Sequence, residues 1–110
     1  MKWITKIVEI HSYRITCQWN DGVSRSIDLE NFLRDKGKNP KNSYNQLLNK
    51  KRFSEVKCDG STLYWENGIT MKDVDGTIKL APLDIDPEVL YEMAVQPRPG
   101  KKQRKNERVI

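Results

Sequence analysis

The stretch that decides the fold is Tyr13-Arg14-Ile15-Thr16-Cys17-Gln18-Trp19, in which apolar and polar side chains alternate. Successive side chains of a β-strand point to opposite faces of its sheet, so this period of two predicts a strand with one buried face. A turn at Asn20-Asp21-Gly22 follows it. The alternation then resumes over 23–29, with an apolar face made of Val23, Ile27 and Leu29. The sequence therefore predicts an antiparallel hairpin.

Three further Asx-Gly pairs recur every eight residues and predict turns at Asp59-Gly60, Asn67-Gly68 and Asp75-Gly76. Glycine adopts positive φ without a steric penalty, and Asn or Asp tolerates it better than most residues, so such pairs suit hairpin turns. Strand-forming segments lie between these turns at 55–58, 62–66 and 77–80, and a β-branched segment at 3–10 predicts the first strand. We expect one small antiparallel sheet of five to six strands.

Residues 30–53 lose the alternation and acquire helical spacing. Tyr44, Leu47 and Leu48 stand at i, i+3 and i+4 after a possible N-cap at Ser43, which predicts a helix over about 43–51. The segment 35–42 is almost devoid of apolar residues and contains both Gly and Pro, so it predicts an exposed loop.

A second helix is predicted to begin at Asp86-Pro87-Glu88. Asp86 is placed to accept the free N–H groups of the first turn, Pro87 suits the first helical position, and Glu88 lies near the positive end of the helix dipole. Pro97 prevents much extension. An apolar face follows, made of Leu90, Met93 and Ala94. The fold class expected is α+β, with two to three short helices.

The net charge of +5 belongs to the C-terminal segment. Residues 1–96 hold 14 Lys+Arg and 14 Asp+Glu, whereas residues 97–110 hold six basic residues and Glu107 alone. This division predicts one folded domain over 1–96 and a disordered basic tail over 97–110. Because flexible basic segments bind phosphate backbones in a salt-sensitive manner, the candidate nucleic-acid contacts are Arg98, Lys101, Lys102, Arg104, Lys105 and Arg108.

The sequence offers little reactive chemistry. His11 is the only histidine, and no GxSxG-type motif surrounds a nucleophile. Together with Cys17 and Cys58 it gives three remote soft ligands, which disfavours a zinc site. The stretch Asp73-Val74-Asp75-Gly76 resembles part of a calcium loop, but the first and last ligand positions hold Met71 and Pro82. We expect no catalytic, metal or cofactor site.

Some of the aromatic residues raise the possibility of a stacking platform for single-stranded nucleic acid, namely Trp3, Tyr13, Trp19, Tyr64 and Trp65. Trp19 falls on the apolar face of its strand and Trp65 is in phase with Leu63, which favours a place in the core for both tryptophans. Tyr64 and Tyr91 are the aromatic residues expected to be partly exposed. They form the candidate interaction surface.

No apolar run reaches the length of a signal peptide core or of a membrane span, and two cysteines are too few for a disulfide scaffold. These features predict a protein of the reducing cytoplasm that does not enter a membrane.

Several short motifs occur in a fixed order: Tyr13-Arg14-Ile15 with Trp19, Asp21-Gly22, Ile27-Asp28-Leu29, Leu47 with Phe53, Trp65-Glu66-Asn67-Gly68, and Leu90-Tyr91. In this order they resemble a bacterial family named only as Domain of Unknown Function 2442. The resemblance covers roughly residues 3–93 and departs from the family after Gly68, where 70–83 is longer than the usual link. It implies a small α+β fold and, by association only, a regulatory role, with no catalytic residues to transfer.

These observations favour a non-enzymatic regulatory or protein-interaction module, such as an antitoxin-like partner of another small bacterial protein. The alternative is a nucleic-acid-binding protein that uses the basic tail. A third hypothesis, an enzyme that works with carboxylates alone, stays open on the sequence.

Overall fold

The structure, a computed structural model, describes residues 1–95, so the predicted tail over 97–110 and its six basic residues lie outside the described residues. In chain order the elements are β1 (Ile4–His11), β2 (Arg14–Trp19), β3 (Ser24–Asp28), α1 (Glu30–Lys36), a 3₁₀ helix (Ser43–Leu48), α2 (Lys50–Phe53), β4 (Lys57–Cys58), β5 (Leu63–Lys72), β6 (Ile78–Ile85) and α3 (Pro87–Val95). The predicted α+β class is confirmed.

The strands form two three-stranded antiparallel sheets, not the single sheet that the sequence predicted. Sheet one has the order β1-β2-β3 and sheet two the order β4-β5-β6. The two sheets meet where the Ile4 N–H donates to the Ser61 carbonyl at 2.8 Å. Ser61 lies in the turn that precedes β5, so this bond does not extend into a strand ladder.

Both sheets and the helices contribute to one core. Strand β2 places Ile15, Cys17 and Trp19 on its buried face, as predicted. Trp65 is also fully buried, and its Nε1–H donates to the Phe53 carbonyl at 2.9 Å. The core positions predicted for the two tryptophans are therefore confirmed.

The helical region 30–53 differs from the single helix predicted over 43–51. A 3₁₀ helix and α2 meet at Asn49, whose side chain accepts a hydrogen bond from the Arg52 N–H at 3.0 Å and so begins a new helix. The first of the two is capped by Asn42, which accepts from the Tyr44 N–H, and not by Ser43. The N-cap residue of helix α1, Leu29, makes no side-chain cap, and the first N–H of the helix, that of Glu30, donates to the Asp28 side chain at 3.1 Å. The helix fully buries only Leu33, so its short sequence carried little helical signal.

The turn predicted at Asn67-Gly68 is wrong. Strand β5 runs through both residues, and the pairing with β6 shifts register between Trp65 and Ile69, as at a β-bulge. Gly68 lies so close to β6 that an added Cβ would stand 2.4 Å from the Leu83 Cβ. The glycine is required here for a close approach between strands, whereas the glycines at 22, 60 and 76 do have positive φ in turns.

Helix α3 begins as predicted. The Asp86 side chain accepts a hydrogen bond from the Glu88 N–H at 2.8 Å, and Leu90 is fully buried. The helix packs against β3. Within residues 1–95 no helix has the length and apolarity needed to cross a bilayer.

Candidate protein-interaction surface

Beyond the bulge, β5 and β6 continue as a two-stranded ribbon. We call residues 69–81 the β5–β6 ribbon: Ile69 pairs with Ala81 and Lys72 with Ile78, and a turn joins the strands. The third strand, β4, pairs with β5 only at Leu63 and Tyr64, near the base of the sheet. The ribbon therefore has no neighbouring strand on either side among the described residues.

The outer face of the ribbon carries a row of apolar side chains. Trp65 pairs with Leu83 and both are buried, so side chains at alternate positions of β6 from Leu83 share the inner face. The residues between them point outward. We call these the β6 apolar row: Ile78 is 71% exposed, Leu80 is 59% exposed, and Pro82 is also exposed. A single exposed leucine is ordinary on a protein surface, whereas Ile78, Leu80 and Pro82 are contiguous on one face of the ribbon.

Tyr64 lies on the same outer face as the β6 apolar row. It pairs with Asp84, which is two residues beyond Pro82 on β6, and its side chain is half-buried. One of the two predicted interaction residues is therefore continuous with the row at its base.

The hydrogen-bond pattern of the ribbon shows which backbone groups of β6 face its open edge. The Asp73 N–H donates to the Thr77 carbonyl at 2.8 Å, so hydrogen-bonded pairs alternate from that pair inward. Lys79 consequently turns its backbone groups toward β5, while Ile78 and Leu80 turn theirs toward the free edge. Pro82 has the same phase as Leu80 and lacks an N–H, which is why an edge strand tolerates it.

The edges are covered at the base of the ribbon. The Gln46 side-chain amide donates to the Gly68 carbonyl at 2.8 Å, and the Arg52 guanidinium donates to the Glu66 carbonyl at 2.7 Å. On the opposite edge, the Tyr44 hydroxyl donates to the Asp84 carbonyl at 2.9 Å. Within the described part of the chain, no such side chain reaches the outward backbone groups of Ile78 and Leu80.

The tip of the ribbon is well defined because its polar groups are paired. Asp75 accepts from the backbone N–H of Thr77 at 3.0 Å and from its hydroxyl at 2.6 Å, and these bonds lower the pKa of the carboxyl. Asp73 forms an ion pair with Lys79 at 2.8 Å. The two carboxylates of the calcium-like stretch are thus used to shape the turn.

Tyr91, the second predicted interaction residue, lies on a different surface. It is half-buried on α3, packs edge-on against Trp19 with ring centroids 5.3 Å apart, and is flanked by Lys2 and Arg25 at 5.0 and 5.1 Å from its ring centroid. A cleft of about 540 Å³ adjoins it, lined by Met1, Lys2, Glu88, Tyr91, Glu92 and Val95. Helix α3, which carries Tyr91, packs against β3 of sheet one, whereas Tyr64 lies on β5 of sheet two. The two tyrosines therefore belong to separate surfaces.

Beside this cleft, Asp21 accepts a hydrogen bond from Arg25 at 2.9 Å and another from the Val23 N–H at 3.0 Å. The guanidinium bond, followed by the backbone bond, lowers the pKa of the Asp21 carboxyl to about 2. Charge pairs and cation–π contacts therefore connect the residues around Tyr91. Two apolar residues that line the cleft, Met1 and Val95, are exposed at 94% and 50%.

The remaining candidate groups are dispersed. His11 is exposed at the end of β1, and Cys17 is buried, which raises the pKa of its thiol to about 12, with nearby Cys58 a smaller cause. A thiol with such a pKa stays protonated and is a poor nucleophile. Among residues 1–95 no three His, Cys, Asp or Glu side chains come together as a metal site would require.

Sequence reasoning did not single out the β6 apolar row. Ile78 and Leu80 alternate with Lys79, which is the pattern of an ordinary strand with one buried face. The signal that could have identified the row is Pro82. A proline within the same strand indicates an edge, where the outer face has less to pack against.

Comparison of the chain with protein-family models, with curated proteins and with solved structures finds no match. The resemblance to Domain of Unknown Function 2442 stays a prediction.

Proposed function

We propose that this chain is a non-enzymatic regulatory or protein-interaction module that docks onto a partner protein through the β5–β6 ribbon. The observation that carries the proposal is the β6 apolar row beside an uncovered strand edge. Extended segments bind such edges by adding a strand: main-chain hydrogen bonds supply affinity, and side chains on alternate positions supply specificity.

The energetics of the row support docking. Burial of a Leu or Ile side chain contributes about 1.5–3 kcal/mol relative to full exposure, and Ile78 and Leu80 are 71% and 59% exposed. Covering the pair therefore contributes roughly 2–4 kcal/mol before the entropic costs of association. A partner that also satisfies the edge hydrogen bonds gains a defined register in addition.

The state of the carboxylates supports a non-enzymatic role over the carboxylate-only enzyme. Asp86 caps α3, Asp73 pairs with Lys79, and Asp75 accepts two hydrogen bonds from Thr77. Each of these groups is engaged in shaping a turn or a helix end. A small bacterial protein is the partner we expect, in line with the family resemblance, and the cytoplasm is the expected location.

Site-specific photocrosslinking in cells tests the proposal. The photoreactive residue p-benzoylphenylalanine replaces Leu80 in one variant and Val8 in the control, because Val8 is 53% exposed on β1, away from the ribbon. We expect a discrete protein adduct from position 80 that the control lacks and that the additional substitution Ile78→Lys removes. Equal adducts at both positions, or none at position 80, would overturn the proposal.

The second candidate function is nucleic-acid binding through the tail. The observation that favours it is the charge of residues 97–110, six basic residues against one acidic residue, beside a balanced body. A gel shift of short DNA and RNA duplexes at low salt is expected to disappear on deletion of 98–110 and to weaken steeply as salt rises. If the full-length chain causes no shift at low salt, this candidate is wrong.

A further inference from the structure

We infer that the strand docked on the β6 edge belongs to a second copy of this chain, paired antiparallel about a two-fold axis at Leu80. The inference rests on the proposed function of the β5–β6 ribbon and names its partner. It is derived from the few registers in which the open part of this edge can pair with itself.

Along the β6 edge, within the described residues, Ile78 and Leu80 are the two that offer a complete set of outward backbone groups, so a symmetric pairing of this edge is centred within this short segment. With the axis at Lys79, that residue would lie directly opposite its own copy, and like charges opposite one another destabilise a strand pair. With the axis at Ile78, Leu80 would lie opposite Gly76 of the second copy, which is in the turn and outside the strand. Neither register suits the edge.

The axis at Leu80 avoids both conflicts. Leu80 then exchanges two hydrogen bonds with Leu80 of the second copy, and the Ile78 N–H donates to the Pro82 carbonyl of the second copy. The absence of an N–H on Pro82 leaves only the Ile78 carbonyl without a protein donor in this pair. Lys79 lies opposite Ala81 of the second copy and keeps its own ion pair with Asp73.

The same register makes the β6 apolar row self-complementary. Ile78 of one copy lies beside Pro82 of the other, and the two Leu80 side chains meet at the axis. Six apolar side chains thereby form one band across a four-stranded sheet made of two ribbons. A two-fold interface uses the same patch on both copies, and this row meets that requirement without any change of sequence. A different protein would need a strand with alternating apolar side chains. Its carbonyl opposite Pro82 would also receive no hydrogen bond, because Pro82 has no N–H.

A disulfide tests the register directly. Hydrogen-bonded pairs in an antiparallel ladder have Cα atoms about 5.5 Å apart, which lies within the range of disulfides. We therefore expect Leu80→Cys to form an interchain disulfide through residue 80 under mild oxidation, identified by peptide mass spectrometry. The control, Val74→Cys, places a thiol on the exposed turn of the same ribbon and is expected not to crosslink.

Sedimentation velocity of the full-length chain across a concentration series measures the association itself. The interface is small, so we expect a reversible dimer in the micromolar range. Leu80→Lys is expected to weaken it more than about 100-fold, since two charges meet at the axis, whereas Val74→Lys adds the same charge at the turn and leaves it unchanged. Pro82→Val restores two donors and is expected to tighten it about tenfold.

The outcomes separate this inference from the proposed function. A chain that stays monomeric at every concentration, or a dimer that Leu80→Lys leaves intact, overturns the inference. In either case an adduct between position 80 and a different protein still supports the ribbon as the docking surface. Thermal unfolding of each variant confirms that an exposed substitution has not disrupted the fold.

Discussion

The two sheets have the same number of strands and the same antiparallel pairing, but the structure of their edge strands differs. In sheet one, β1 has two register shifts, between Ile4 and Lys6 and between Ile7 and Glu9, and α3 packs against β3. Bulges are among the usual means by which proteins prevent edge-to-edge association. Sheet two covers its edges only at the base and leaves the ribbon open. The contrast is between the bulged edge of β1 and the regular edge of the ribbon over 78–80.

The contrast also runs along a single strand. Trp65 is fully buried near the base of β5, while Met71, six residues further, is 54% exposed on the same inner face. The bulge at Asn67 and Gly68 separates a buried part of the strand from an exposed part.

The largest expected effect tests this division. Trp65→Ala removes the Phe53 hydrogen bond and leaves a cavity, so we expect a loss of about 3–5 kcal/mol in the free energy of unfolding. Met71→Ala is expected to change it by less than about 0.5 kcal/mol. Urea unfolding followed by tryptophan fluorescence measures both. Similar losses for the two variants would show that the ribbon is part of the cooperative core.

An intermediate effect is expected at the bulge itself. Gly68→Ala forces a Cβ against the Leu83 Cβ at 2.4 Å, so β5 and β6 must separate, at a cost of about 1–3 kcal/mol. Gly76→Ala, in the turn of the same hairpin, meets open space and adds only the strain of a positive φ, about 1 kcal/mol. The Gly68 variant should therefore have the lower urea midpoint. The reverse order would contradict a close approach of the strands at the bulge.

The smallest effect belongs to the covered sheet and depends on pH. Folding lowers the pKa of Asp21 from 3.8 to about 2, so the unfolded chain binds the proton more readily, and the resulting stability is present above pH 4. It is lost as the pH falls from about 4 to about 2. We expect Asp21→Asn to be less stable than the wild type at neutral pH and equally stable near pH 2, by urea midpoints across the range.

Arg25→Gln is the matched variant, since it removes the guanidinium that is the main cause of the shift. It should remove most of the same pH-dependent difference, and the part that remains comes from the backbone bond to Val23 and from the charge of Lys2. An Asp21→Asn difference that persists at pH 2 would mean that the charge of Asp21 is not what stabilises this turn.

The sequence predicted those parts of the fold in which local chemistry and burial agree. The alternation at 13–19, the entry of α3 at Asp86 and the core positions of Trp19 and Trp65 were all confirmed, because each signal stands within a few residues. Asn67-Gly68 was misread as a turn because the same dipeptide serves a bulge. Only contact with Leu83, a residue on the next strand, distinguishes the two.

The candidate surface was harder to predict than the fold. Tyr64 was identified from its phase, but the row of Ile78 and Leu80 has the pattern of a buried face. Whether such a face is covered depends on which helices or strands pack against it, and this is a tertiary property. The division into two sheets was missed for the same reason. Alternation of apolar residues predicts how many strands there are, but it does not predict which strands pair with one another.

The side-chain caps from Gln46 and Arg52 on the carbonyls of Gly68 and Glu66 have a consequence for how this molecule can diverge. They anchor the hairpin at its root, so residues 69–81 can lengthen, shorten or change composition while the body keeps its packing. Under the proposed function, recognition and folding would be encoded in separate stretches of the chain, and replacement of residues 69–81 would change the partner without changing the body.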